Sequence, residues 1–279
     1  MEPPVPAAIQ PLIDAYLQGL EPLNAHFYGI YIYGSIALGA FEELESDIDI
    51  IALTQGEWSP LELQQLKTLH TQLCKAYVFG KRLEVFYVPF HYLGVTDADK
   101  QKELLAPFPA AHDGTFLPAT YSGLNAVTWW IIKNNGIRLY GPDHSTLPLA
   151  VTWQDVLTTM RFNLDVYYAR KIKRPYIYLD NTAVEFAVSN MCRILTTIEE
   201  GEIISKSVSL TRWKQRLPER WQILLDEAWR IRHHLSRPSL YRFRFQRMRE
   251  TLAFIQYGRE RGRKALDAFC LVSVPSSGS

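Results

Sequence analysis

Three acidic residues set the chemistry of this sequence. Asp47 and Asp49 stand two apart in Ser46-Asp47-Ile48-Asp49-Ile50-Ile51-Ala52-Leu53, and Glu84 lies in Arg82-Leu83-Glu84-Val85-Phe86-Tyr87-Val88. In a strand, residues i and i+2 share a face. Asp47 and Asp49 therefore point the same way, and Ile48 turns toward the core. Two carboxylates that close repel unless a hard cation lies between them, and Mg2+ prefers such oxygen ligands. An acidic pair at the edge of so apolar a strand is costly without a use. Glu84, with apolar residues on both sides, either completes the metal site or takes a proton from an attacking hydroxyl as a general base.

Upstream is Tyr33-Gly34-Ser35, with eleven residues between Ser35 and Asp47. Glycine lets the backbone approach a ligand closely. A serine at a helix start adds a hydroxyl to free backbone N–H groups, which favour phosphate. Ser46 offers a second hydroxyl on the same rim. Each piece alone has a plain explanation: Gly-Ser a turn, Asp-x-Asp a solvated strand end, Ser46 a turn residue. Together they define a specific arrangement.

The elements that must position these residues can be read from pattern. A helix is expected over Ala7 to Leu20, a strand over Phe27 to Tyr33 and a central strand over Asp47 to Thr54. Ser59-Pro60 reads as an N-cap and first-turn proline opening a helix to about Ala76. Arg82 to Val88 is a third strand, and the proline-bearing stretch from Pro89 to Pro118 is expected to wrap the surface. Tyr121 to Asn135 reads as a helix stopped by Gly136, and Ile137 to Tyr140 as a short strand ended by Gly141-Pro142. From Thr152 onward the signals are helical. Thr182-x-x-Glu185 fits a capping box and Gly201 a helix stop, with further helices near Ser205–Arg216, Pro218–Leu235 and Leu240–Arg263. The expected architecture is an α/β domain, a small mixed sheet with flanking helices, over residues 1–148. An all-α helical bundle follows over 149–266, then a disordered tail over 267–279.

Composition narrows the class. The 279 residues are 47% hydrophobic with a formal net charge of +1, enough for two cored domains without strong overall attraction to nucleic acid. Yet 16 of the 30 basic residues and only 7 of the 29 acidic ones fall in residues 201–279. An acidic first part and a basic second part suit a cleft that takes a polyanion with a metal; a basic solvated helix face accounts for the second equally well. Cys74, Cys192 and Cys270 form neither a disulfide framework nor a zinc spacing. The start reads as no signal peptide and no apolar run is long enough to span a membrane, so a cytoplasmic protein is expected.

Gly34-Ser35, Asp47-x-Asp49 and a third strand acid resemble the nucleotidyltransferase superfamily. In the second half, Arg193-Ile194, the run from Gly201 to Val208 with Lys206, Arg216-Leu217-Pro218 and Glu227-Ala228 resemble the helical domain of aminoglycoside adenylyltransferases of the streptomycin and spectinomycin resistance type. Trp129 and Gly141-Pro142 are similar to that group too. The resemblance covers about residues 25–235. It implies in-line attack by a hydroxyl on the α-phosphate of ATP, with two Mg2+ ions held by Asp47, Asp49 and Glu84. It also implies that Gly34, Ser35, Ser46, Arg193, Lys206 and Arg232 bind the nucleotide, Arg232 standing where a tyrosine is expected. Lys206 near a helix start would add its charge to the helix dipole; Arg193 has a bundle salt bridge as its plain alternative. The acids that would hold a cationic drug do not map residue for residue. Asp180 and Glu185 are the nearest candidates, with the capping box as the plain alternative for Glu185.

A monomer acting on ATP and a small hydroxylated acceptor, with no membrane and no nucleic acid partner, is the expectation. Its rival is nucleotidyl transfer to an RNA or protein acceptor. That reading draws on Arg242, Arg244, Arg247, Arg249, Arg259, Arg261 and Arg263 with aromatics interleaved.

Overall fold

A computed structural model describes residues 5–96, 107–120 and 123–272, with side chains to residue 268. It divides into two compact units, Met1–Asp155 and Val156–Ser279, which are described separately.

The first unit is built on one six-stranded sheet. Helix α1 (Gln10–Leu20) precedes β1 (Phe27–Ile32), a single turn α2 (Gly34–Ala37), β2 (Ile48–Thr54), α3 (Pro60–Ala76) and β3 (Leu83–Pro89). Strands β4 (Phe108–His112) and β5 (Thr115–Thr120), helix α4 (Ala126–Asn135) and β6 (Ile137–Tyr140) follow. The strand order is β5-β4-β3-β2-β1-β6. Among the described strands only β2 and β3 pair in parallel, because α3 carries the chain back between them. They lie at the centre of the sheet, which is why Ile48-x-Ile50-Ile51-Ala52-Leu53 and Val85 are fully buried.

Local chemistry sets the boundaries. Ser59 and Glu62 close a reciprocal capping box with Pro60 at the first position, fixing the start of α3. Asn125 caps α4 through the Val127 N–H at 2.9 Å, so that helix begins at Ala126, later than the pattern suggests; Tyr121 and Ser122 lie outside the described residues. Beneath the sheet, His70 Nε2 meets the Tyr87 hydroxyl at 2.7 Å, and that hydroxyl lies 3.5 Å from the Tyr16 hydroxyl. Burial pushes the His70 imidazole down to about 4, so it is neutral in this core.

One expectation is overturned here. The stretch after β3 does not simply wrap the surface: residues 108–120 form the β4–β5 hairpin, which extends the sheet beyond β3. Asp113 and Gly114 both have positive φ, 48° and 70°. That is the type I′ geometry Asp-Gly favours in a two-residue hairpin. The Asp-Gly signal was present in the sequence and outweighs the surrounding prolines. Residues 97–106 lie outside the described residues.

The second unit, with α5 (Trp153–Phe162) leading into it, contains only helical elements among its described residues: α6 (Tyr168–Ile172), α7 (Asn181–Glu200), α8 (Lys206–Lys214), α9 (Gln222–Arg232) and α10 (Arg244–Val272). Helix α7 is the spine, with Val184, Ala187, Val188, Met191, Cys192, Ile194, Leu195 and Ile198 all buried, the spacing of a helix covered on several sides. Gly201 ends it in the left-handed conformation, φ 70°, as expected of a C-terminal glycine. Two expectations fail. The cap of α7 is Asp180, whose carboxylate accepts from the Ala183 N–H at 2.9 Å, rather than Thr182 with Glu185. The helix starts at Asn181, so Thr182 is already inside it and Glu185 lies a turn too late. The tail expected from residue 267 is also wrong at its start, since α10 continues to Val272; residues 273–279 lie outside the described residues.

Candidate active site

Strand β1 ends at Ile32, and the Tyr33 N–H donates to the Asp49 carbonyl at 2.9 Å, tying the glycine turn to the aspartate strand. Gly34 follows with φ +66°; a Cβ built there would stand 1.9 Å from Asp49 Oδ2. The Asp49 carboxylate therefore lies directly against the Gly34 backbone, and glycine is needed for both conformation and room. Asp49 is half-buried, Ile48 fully buried and Asp47 exposed just ahead of β2, the alternation expected of the strand edge.

Across the parallel ladder, Asp49 is the register partner of Glu84. Partnered residues present their side chains on the same face. Tyr33 stands beside the same pair. Burial, with the charges of Asp49 and then Glu84, raises its phenol well above the usual value, so it stays protonated beside both acids. Ser46 is buried; its Oγ accepts from the Glu42 N–H at 2.9 Å and its own N–H donates to the Glu42 carbonyl at 2.8 Å. Its hydroxyl thus closes the turn ahead of Asp47. Ser35 occupies the turn α2, half-buried, its carbonyl accepting from the Ala40 N–H.

One neighbour escaped the sequence reading. The β3–β4 register pairs Val85 with Ala111 and Phe86 with Ala110, and one step further His112 falls opposite Glu84. His112 Nδ1 is 3.5 Å from Glu84 Oε1 and 3.1 Å from Asp113 Oδ2. Only recognition of the Asp-Gly hairpin would have brought His112 to this row.

In the helical unit the remaining candidates cluster around the start of α8. Lys206 is its first residue, capped by Ser205, and its Nζ lies 5.4 Å from the centre of the Phe186 ring. Arg232, at the end of α9, donates from Nε to Ser207 Oγ at 2.7 Å and pairs through Nη1 with Glu185 Oε1 at 3.4 Å. Glu185 also accepts from the Ser189 hydroxyl. Arg193 donates from Nε to the Ile204 carbonyl at 2.8 Å, bracing the loop before α8. Asp180, exposed, is the α7 cap. The fold thus gathers Glu185, Lys206 and Arg232 around Ser207 and Phe186, whereas Asp180 stands at the helix start.

The arginine run has mostly internal tasks. Arg247 is buried against Glu227 at 3.0 Å and donates to Asn181 and the Leu179 carbonyl. Arg261 forks onto Glu199, Arg263 pairs with Asp165, and Arg259 donates to the Leu164 carbonyl. These bonds hold α10 against its neighbours, which weakens the case for that run as a nucleic-acid surface. Among the described residues no helix is long and apolar enough to cross a membrane.

Comparison with known proteins follows the same line. A family model described as aminoglycoside adenylyltransferase, C-terminal domain, matches residues 177–248. No curated protein matches the sequence. A solved structure of a spectinomycin adenyltransferase from Enterococcus faecialis, with ATP and spectinomycin, is similar with a TM-score of 0.63 at 16% identity, covering 91% of this chain and 98% of that one. Residues 177–248 thus resemble the C-terminal domain of aminoglycoside adenylyltransferases, and the chain shares the fold of the solved spectinomycin adenyltransferase.

Proposed function

We propose that this chain transfers AMP from ATP to a hydroxyl of a small molecule, an aminoglycoside or spectinomycin-like antibiotic. The observation that carries the reading is the row formed by Asp49 and Glu84 on adjacent parallel strands, with Gly34 against the Asp49 carboxylate. The relative solved with ATP and spectinomycin supports both the donor and the acceptor class.

The donor set fits Mg2+. Asp47, Asp49 and Glu84 offer hard oxygen ligands, and the absence of a side chain at Gly34 lets the Asp49 carboxylate pack against the backbone there. Bound there, Mg2+ ions would screen the phosphate charge and steady the departing pyrophosphate. Glu84 takes the proton of the acceptor hydroxyl as its oxygen bonds to the α-phosphorus; the bond from that phosphorus to the bridging oxygen breaks, and pyrophosphate leaves with the electron pair. Gly34, Ser35 and Ser46 form the nucleotide rim of the first unit. In the second unit, the resemblance assigns Lys206, Arg193 and Arg232 to nucleotide binding, and Asp180 and Glu185 are the acids proposed for a cationic acceptor. The test is pyrophosphate release from ATP, GTP, CTP and UTP against a panel of aminoglycosides and spectinomycin. Turnover with ATP and at least one of these drugs is expected; release with none of them would overturn the acceptor class.

A further inference from the structure

We propose that Glu84, His112 and Asp113 form a binding site for a borderline divalent cation of the zinc type, whose occupation withdraws Glu84 from AMP transfer. One ligand atom from each residue lies within 4.8 Å of the other two. Two of the three separations, both from His112 Nδ1, are 3.1 Å to Asp113 and 3.5 Å to Glu84. Zinc bonds of about 2.0–2.2 Å in a tetrahedral set separate neighbouring donor atoms by roughly 3.3–3.6 Å. Two edges of such a tetrahedron are thus in place to within a few tenths of an ångström.

The donor types separate this site from the magnesium reading. Imidazole with carboxylates suits Zn2+ and its neighbours in the transition series, whereas Mg2+ is held by oxygen and keeps much of its water. Glu84 stands in one row between Asp49 on β2 and His112 on β4. The same carboxylate faces an all-oxygen partner on one side and a nitrogen donor on the other. Two of the three donors are on paired strands, and the third is fixed by a tight turn. Glu84 is mostly buried while Asp113 is exposed, leaving water to complete the coordination from the Asp113 side. Binding rests on these three side chains alone; its consequence for turnover rests on the role given to Glu84 above.

The experiment is a calorimetric titration of zinc chloride into the full chain, without nucleotide and with Mg2+ in excess, repeated on His112→Ala and Asp113→Asn. One ion per chain is expected. Its affinity should fall at least tenfold in His112→Ala, since even partners behind a ligand cost about 10–100-fold. No saturable zinc binding, or equal affinity in wild type and His112→Ala, would overturn the site. Pyrophosphate release is then followed against zinc concentration. Inhibition of the wild type at concentrations that leave His112→Ala active is expected. Zinc that binds through His112 without slowing turnover would overturn the withdrawal of Glu84 and leave the site standing. If no acceptor supports turnover, the titration still decides the site.

Discussion

Asp49 and Glu84 are side-by-side partners on the parallel strands β2 and β3. Strands in register lie about 4.8 Å apart, so the two carboxylates share one face at the spacing a cation or a phosphate oxygen can bridge. The same pairing lets their roles be separated. Asp49→Asn should remove nearly all turnover with the fold intact, because an amide is a weaker and uncharged ligand for magnesium. Glu84→Gln should still bind ATP, measured by calorimetry, while turnover falls by roughly 10² or more. Loss of ATP binding in Glu84→Gln would make Glu84 chiefly a ligand.

Gly34 offers a cleaner test of the geometry. Gly34 and Gly39 have nearly the same positive φ, 66° and 65°, yet a Cβ at Gly39 would meet nothing within 4 Å. Alanine at either position should cost about 1–2 kcal/mol for the left-handed backbone. Only Gly34→Ala should also abolish turnover, by displacing Asp49. Equal activity in the two variants would show that the contact between Gly34 and Asp49 is incidental.

The parts of this arrangement differ in how openly the sequence displays them. The central strands were legible because a run such as Ile48 to Leu53 alternates acids and core residues at one end and is apolar throughout the rest. The parallel register of Asp49 with Glu84 was not read from the sequence, because it depends on α3 returning the chain and on how β2 and β3 pair. His112 was not legible, because its position depends on a two-residue turn and a long-range pairing with β3. In the helical unit, Glu185 was misread as a capping acid because local sequence spacing does not show that Arg232, 47 residues away, claims it.

His70 makes a prediction about pH. Its folded value, about 4, lies below the ordinary 6.5 because burial disfavours the charged ring. Between these values the unfolded chain binds more protons than the folded one, so stability rises with pH across that window. The contribution is complete above about 6.5 and is lost as pH falls toward 4, amounting to roughly 3 kcal/mol. Urea midpoints should therefore drop between pH 7 and pH 5 more steeply in the wild type than in His70→Gln. Parallel slopes would mean that the ring is solvated in this core.

Lys206 and Arg232 are both assigned to the nucleotide, but their surroundings predict different penalties on removal. Lys206 begins α8 with its ammonium over the Phe186 ring, at the helix end where the dipole does not favour a cation. Lys206→Ala should weaken ATP binding by about 1.5–3 kcal/mol, the span of one charge-assisted contact, at unchanged melting temperature. Arg232 instead faces Glu185 and Ser207, and both members of its ion pair are nearly buried, 9% exposed each. Arg232→Ala would leave Glu185 charged beside the core with its cation removed, which is costly. Its melting temperature should fall, and Glu185→Gln in the same chain should restore part of the loss, because the stranded charge is then gone. The measurement is a pair of thermal melts with ATP titrations on the same preparations. A fall in melting temperature for Lys206→Ala of the same size as for Arg232→Ala would show that both cations are structural, and the nucleotide would then have to be held by other residues.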